Sequence, residues 1–68
     1  MWVIYRPVTR EYPGLWAARM HVCLPAPKPT RFVITHPRLD GLRELLPAGL
    51  AYKNRHPRDL PEIHETWV

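Results

Sequence analysis

Only one stretch of the chain, HPRLDGLRELLPAGL at residues 36–50, carries a helical period. Leu39, Leu42, Leu45 and Leu46 share one stripe, while Arg38, Asp40, Arg43 and Glu44 lie mostly off it. Pro37 suits the first turn, Asp40 favours the positive end of the helix dipole, and Pro47 with Gly49 ends the run. A helix of about ten residues does not survive alone in water. Its leucines must lie on something, and the rest of the chain reads as strand and loop.

Trp2 to Arg6 is a short β-branched and aromatic run bounded by Pro7, and it reads as a first strand. Pro13 and Gly14 stand where a turn needs them. From Leu15 to Leu24 the residues alternate, which predicts a second strand with Trp16, Ala18, Met20, Val22 and Leu24 on one face and Leu15, Ala17, Arg19, His21 and Cys23 on the other. PAPKPT at residues 25–30 loses three backbone donors and predicts an extended connection outside any ladder; its prolines lack the three-residue spacing of a polyproline ligand. Arg31 to Thr35 is the third strand, LAYK at residues 50–53 a brief fourth, and NRHPRDLP a loop. EIHETWV at residues 62–68 alternates and reads as the fifth strand.

The expected fold is therefore a small α+β domain of order β-β-β-α-β-β, a single unit over residues 1–68. It has an antiparallel sheet of four to five strands and one helix packed on one face. If the first three strands run up, down and up, the helix returns down, the fourth strand rises and the last descends. The last strand is then antiparallel to the first and can pair with its free side, giving a spatial order 3-2-1-5-4.

Size and composition bound what such a domain does. A 68-residue chain of this kind buries only about 60% of the surface its unfolded form exposes, so its stability is small unless a partner adds burial. Apolar residues at 46% and charged residues at 24% are a globular balance. One cysteine, Cys23, forms no internal disulfide and suits a reducing compartment. No segment approaches the roughly 20 apolar residues of a membrane helix, and the start lacks the pattern of a secretory signal. The expectation is a cytoplasmic protein that does not enter membranes.

The histidines and acids do not assemble into a recognisable catalytic or metal motif. His21 and Cys23 share a strand face and His64 is a distant third candidate, but zinc needs three or four converging ligands at tighter spacing. His64 and Glu65 are adjacent on a strand and so are expected on opposite faces. The chain has no serine and no glycine-rich phosphate loop. The expectation is a protein that is not an enzyme, without catalytic residues, metal or cofactor.

One helix covers one side of a sheet, so the other side is expected to be open. Arg19 and His21 fall there, joined by Glu65 and Trp67 or by His64 and Thr66 according to register. A cross-strand Arg19 to Glu65 pair on a solvated face is the plain structural alternative. The net charge is +4, carried mainly by eight arginines. The candidate binding residues are Arg19, His21, Arg31, Lys53, Arg55, Arg58, Glu65 and Trp67. They support a non-catalytic interaction module that binds a protein partner or a second copy of itself through the open sheet face or the edge of the third strand. The alternative is a single-stranded nucleic-acid binder, with Arg19, Arg31, Lys53, Arg55 and Arg58 on phosphates and Trp or Tyr stacked on bases.

The segments EYPGLWAAR, LRELLPAGL and DLPEIHETWV together resemble a group of short bacterial and prophage-type proteins that open on a strand like WVIY and close on a proline, an Ile, a Glu and a Trp. The resemblance spans nearly the whole chain. It implies a bacterial cytosolic setting, and because the group has no established activity it transfers no functional residues.

Overall fold

The computed structural model describes residues 1–23 and 25–68. The chain forms β1 (Trp2–Tyr5), β2 (Trp16–Val22), β3 (Lys28–His36), α1 (Leu39–Leu45), β4 (Tyr52–Asn54) and β5 (Ile63–Trp67). The strands make a five-stranded sheet of spatial order β3-β2-β1-β5-β4, and every neighbouring pair is antiparallel. This is the small α+β domain expected from the pattern, with one short helix on one face. The predicted end of the second strand at Leu24 lies outside the described residues.

Ile4, Ala18 and Leu42 are the buried centre of the core, and Trp2, Trp16, Ile34, Leu39, Leu46 and Trp67 pack around them. The helix lies over β2 and β3. It is seven residues long, shorter than expected, because the residue before a proline is driven out of the helical region. Leu46 precedes Pro47 and is accordingly extended, with φ −70° and ψ 151°. Pro37 stands before the N-cap residue Arg38 instead of in the first turn. Leu45, placed in the leucine stripe by its spacing, is 53% exposed: in so short a helix Leu39, Leu42 and Leu46 define the buried face, and residue 45 lies about a quarter-turn off it.

Helix entry depends on a histidine. Arg38 provides no side-chain cap; instead its backbone N–H donates to Nδ1 of His36 at 3.0 Å. The His36 imidazole lies over Gly41 so closely that a Cβ there would fall inside the ring's contact distance. Gly41→Ala is therefore expected to be destabilising, although alanine is the better helix former by about 1 kcal/mol. In a His36→Ala background the same change should become stabilising by roughly that amount. Urea denaturation of the four proteins checks the sign reversal.

The turn after β1 is built as the sequence suggests. Leu15 N–H donates to the Tyr12 carbonyl at 3.2 Å, with Pro13 and Gly14 between them and Gly14 at φ 78°, a type II turn in which the third position requires positive φ.

β3 corrects the reading of PAPKPT, for Lys28, Pro29 and Thr30 belong to the strand, with Pro29 opposite His21 and Lys28 opposite Val22. Proline is tolerated here because β3 is at the sheet edge, where one missing donor leaves the ladder intact. The irregularity between Arg19 and His21 absorbs the remaining mismatch. There the Thr30 hydroxyl donates to the Met20 carbonyl at 2.7 Å and accepts from the Phe32 N–H at 3.2 Å.

β5 contains a second irregularity with larger consequences. Ile4 is opposite Glu65 while Tyr5 is opposite Ile63, so His64 is an extra residue, a β-bulge. The bulge resets the alternation and brings His64 and Glu65 to the same side of the sheet. His64 Nε2 lies 3.5 Å from Glu65 Oε1, and its ring meets Trp16 edge-on at 5.1 Å between centroids. The expectation that these two residues face apart is overturned.

Candidate interaction surface

Glu65 and Trp67 do not stand beside Arg19 and His21. They lie on the helix side, where Glu65 is fully buried and receives Arg43 Nε on Oε2 at 2.9 Å, Arg43 Nη2 on Oε1 and Trp67 Nε1 on Oε2 at 2.6 Å. Burial alone would raise the pKa of this carboxyl. The hydrogen bonds from Arg43 and Trp67, with the charges of Arg43 and His64, outweigh it and hold Glu65 below the usual carboxylate range. The same hydrogen bond raises the pKa of Arg43. Tyr52 completes the cluster, its ring edge-on to Trp67 at 5.5 Å. This is a structural tie between the helix and β5. The sequence offered no sign of it, since its charged partners are 22 residues apart and Arg43 reads as a solvent-side helix residue.

On the opposite face Arg19 is also committed, but to partners other than Glu65. Its guanidinium donates to the Thr30 carbonyl at 2.6 Å and to Glu11 Oε2 at 2.8 Å, tying the turn after β1 and the irregular part of β3 to the sheet. The face it occupies is not bare. Tyr5, Arg6, Arg10, Arg19, Val33 and Leu60 are among the residues lining an open hollow of about 960 Å³, walled by the segments around residues 8–12 and 60–62. Val3 and Ala17 point to this side and are nonetheless buried. The Tyr5 hydroxyl there has its pKa raised by burial, opposed by Arg19 and reinforced by Glu62 and Glu11.

The remaining candidates divide between the loop and the edges. Arg55 is inward, donating to the Asp59 carbonyl at 2.9 Å, so it holds the 55–60 loop together. Lys53 and Arg58 are exposed, Lys53 on the short outer strand β4 and Arg58 in the loop. His21 borders the hollow, on the face opposite His64, which is on the helix side. Among the described residues no three of His, Cys, Asp and Glu come together as a metal ion needs. Among them, too, no helix is long and apolar enough to cross a membrane.

Arg31 is exposed on β3, the strand expected at the edge of the sheet. β3 runs nine residues, and among the described residues its outer edge has no neighbouring strand in the sheet. Phe32 on that strand is 66% exposed. Pro29 and the irregularity at residues 30–32 blunt the first part of the edge, and Val33 to His36 follow in regular register with β2. Pro29 and Val33 also border the hollow, so the edge and the concave face form one continuous surface.

No family model matches the chain, and no curated protein or solved structure shows significant similarity to it.

Proposed function

We propose that this chain is a non-catalytic interaction module that binds another protein through the outer edge of β3 and the hollow beside it. The observation that carries the reading is the long edge strand with no neighbour, bearing an exposed phenylalanine at its centre. An unpaired edge presents a row of backbone donors and acceptors that an extended segment can complete, and an exposed aromatic supplies an anchor. The hollow offers space for side chains of such a segment.

The nucleic-acid alternative draws less support. Stacking of bases needs aromatics interleaved with cations on one exposed face. All three tryptophans pack around the helix-side core, and Arg19 and Arg55 are held by protein partners.

Peptides selected by display against the whole chain, then titrated into isotope-labelled protein, test the reading. They should shift the backbone amides of Val33 to His36 and lose binding in Phe32→Glu. Shifts centred on β4 or the helix would overturn the assignment of the edge. In parallel, labelled single-stranded RNA and DNA followed by anisotropy at low and moderate salt should show no saturable binding. Tight, salt-sensitive binding would favour the nucleic-acid alternative.

A further inference from the structure

We infer that the segment taken up along β3 is acidic and extended, adding as a sixth strand, and that it is not a second copy of this chain. The inference rests on the interaction reading above and adds the chemistry of the partner.

Charge along the edge has one sign. β3, KPTRFVITH, contains Lys28 and Arg31 and no acidic residue, and both cations are exposed. Just past its end the Arg38 side chain is 75% exposed, and its nearest carboxylate, Asp40, is 3.9 Å away and itself exposed. Lys28 and Arg31 stand in the first half of the strand and Arg38 two residues past its end, so the cations flank the regular segment Val33 to His36 on both sides. The face bordering the edge is of the same character: with Arg19 and Glu11 paired to each other, Arg6 and Arg10 line the hollow against Glu62.

Self-pairing would set this edge against itself. In any antiparallel pairing of two β3 strands, Lys28 and Arg31 of each copy meet a strand with no carboxylate to receive them. Like charges across a strand pair are destabilising, and the whole molecule carries +4. A segment alternating apolar and acidic residues meets both requirements. Its apolar side chains fall on one face toward Phe32 or the hollow, and its carboxylates meet the cations while its backbone completes the ladder.

Four synthetic peptides separate the components: a Glu/Val alternation, a Thr/Val alternation, a Lys/Val alternation, and the Glu/Val peptide with a central proline. Each is titrated into the labelled full chain, with calorimetry for affinity and amide shifts for location. The Glu/Val peptide should bind at Val33 to His36 about tenfold more tightly than the neutral one at low salt, as a few exposed ion pairs allow. The Lys/Val and proline-interrupted peptides should bind far more weakly. The double variant K28E/R31E, altered only at exposed positions and verified as folded by circular dichroism, should reverse the preference toward Lys/Val.

Equal binding of the neutral and acidic peptides at β3 would overturn the acidic inference and leave the edge reading intact. Equal binding of the proline-interrupted peptide would reduce the effect to charge attraction without strand addition. Failure of every peptide to shift β3 would remove the edge reading itself. Sedimentation equilibrium should find a monomer across the accessible concentrations; a dimer abolished by K28P or F32E would replace the foreign strand with a second copy.

Discussion

Arg43→Ala is expected to destabilise this domain by about 3 kcal/mol, the lower end of the cost of leaving a buried charge without its partner. Glu65 is 0% exposed, and two of its three close donors belong to Arg43. Their removal leaves a carboxylate in the sheet with the Trp67 indole and with His64 at 3.5 Å. The lower end applies because the Arg43 side chain is itself 41% exposed, so water can enter where the guanidinium was. A domain of this size has roughly 3–5 kcal/mol in total, and the variant should therefore be largely unfolded at modest urea concentrations. R43M/E65L should recover much of the loss, since replacing a buried pair by apolar groups is frequently neutral. A double variant as unstable as Arg43→Ala would mean that shape, and not the stranded charge, sets the cost.

The same carboxylate gives the fold its acid sensitivity. Glu65 is held below its ordinary value of 4.5 in the native state, so the unfolded chain takes up its proton first as pH falls. The stabilisation is complete above pH 4.5 and is lost as pH drops through the lowered native value. Urea midpoints measured downward from about pH 5 should fall in the wild type and fall less steeply in Glu65→Gln, where no proton is taken up at that site.

How far these features could be read from sequence depends on whether local pattern or tertiary geometry decided them. The strands, the single helix and the place of the closing segment beside β1 follow from alternation, from the leucine period and from chain direction, all of which are local or near-local. Gly14 and Pro13 announced their turn for the same reason. His64 was misread because a bulge is invisible to alternation: one extra residue opposite Ile4 and Tyr5 puts His64 on the same side as Glu65, whose pairing with Ile4 places it on the helix side as a buried anchor. PAPKPT was misread because a proline excludes a central strand but not an edge, and the third strand, although expected at the edge, was begun only at Arg31 instead of Lys28. Arg19 and Arg55 have the composition of a binding site, yet each is consumed by carbonyls or carboxylates that only the fold brings near. The edge position of the third strand was legible from chain direction, but Phe32 was not singled out on it, because alternation alone does not tell which apolar residue of RFVIT stays exposed.

Leu42→Ala should have an effect as large as that of Arg43→Ala, for a different reason. Leu42 is the buried residue of the helix and is 0% exposed, in contact with Ile4 and Ala18. Truncation loses the transfer energy of the side chain and leaves a cavity, together about 2–5 kcal/mol. Two features press the value toward the upper part of that range. Of its buried neighbours, Ala18 is too small to refill the space and Ile4 is held in the central strand β1. The helix also has no independent stability at seven residues, so loosening its central contact releases Leu39 and Leu46 with it. Leu42→Met, which keeps the volume, should cost less than about 1.5 kcal/mol. Circular dichroism with urea titration separates the outcomes: if Leu42→Ala lost less than Leu42→Met, the helix would not be the cover of this core. The sheet would then have to be stable on its own, and its helix-side face would be available to a partner as well as the β3 edge and the hollow.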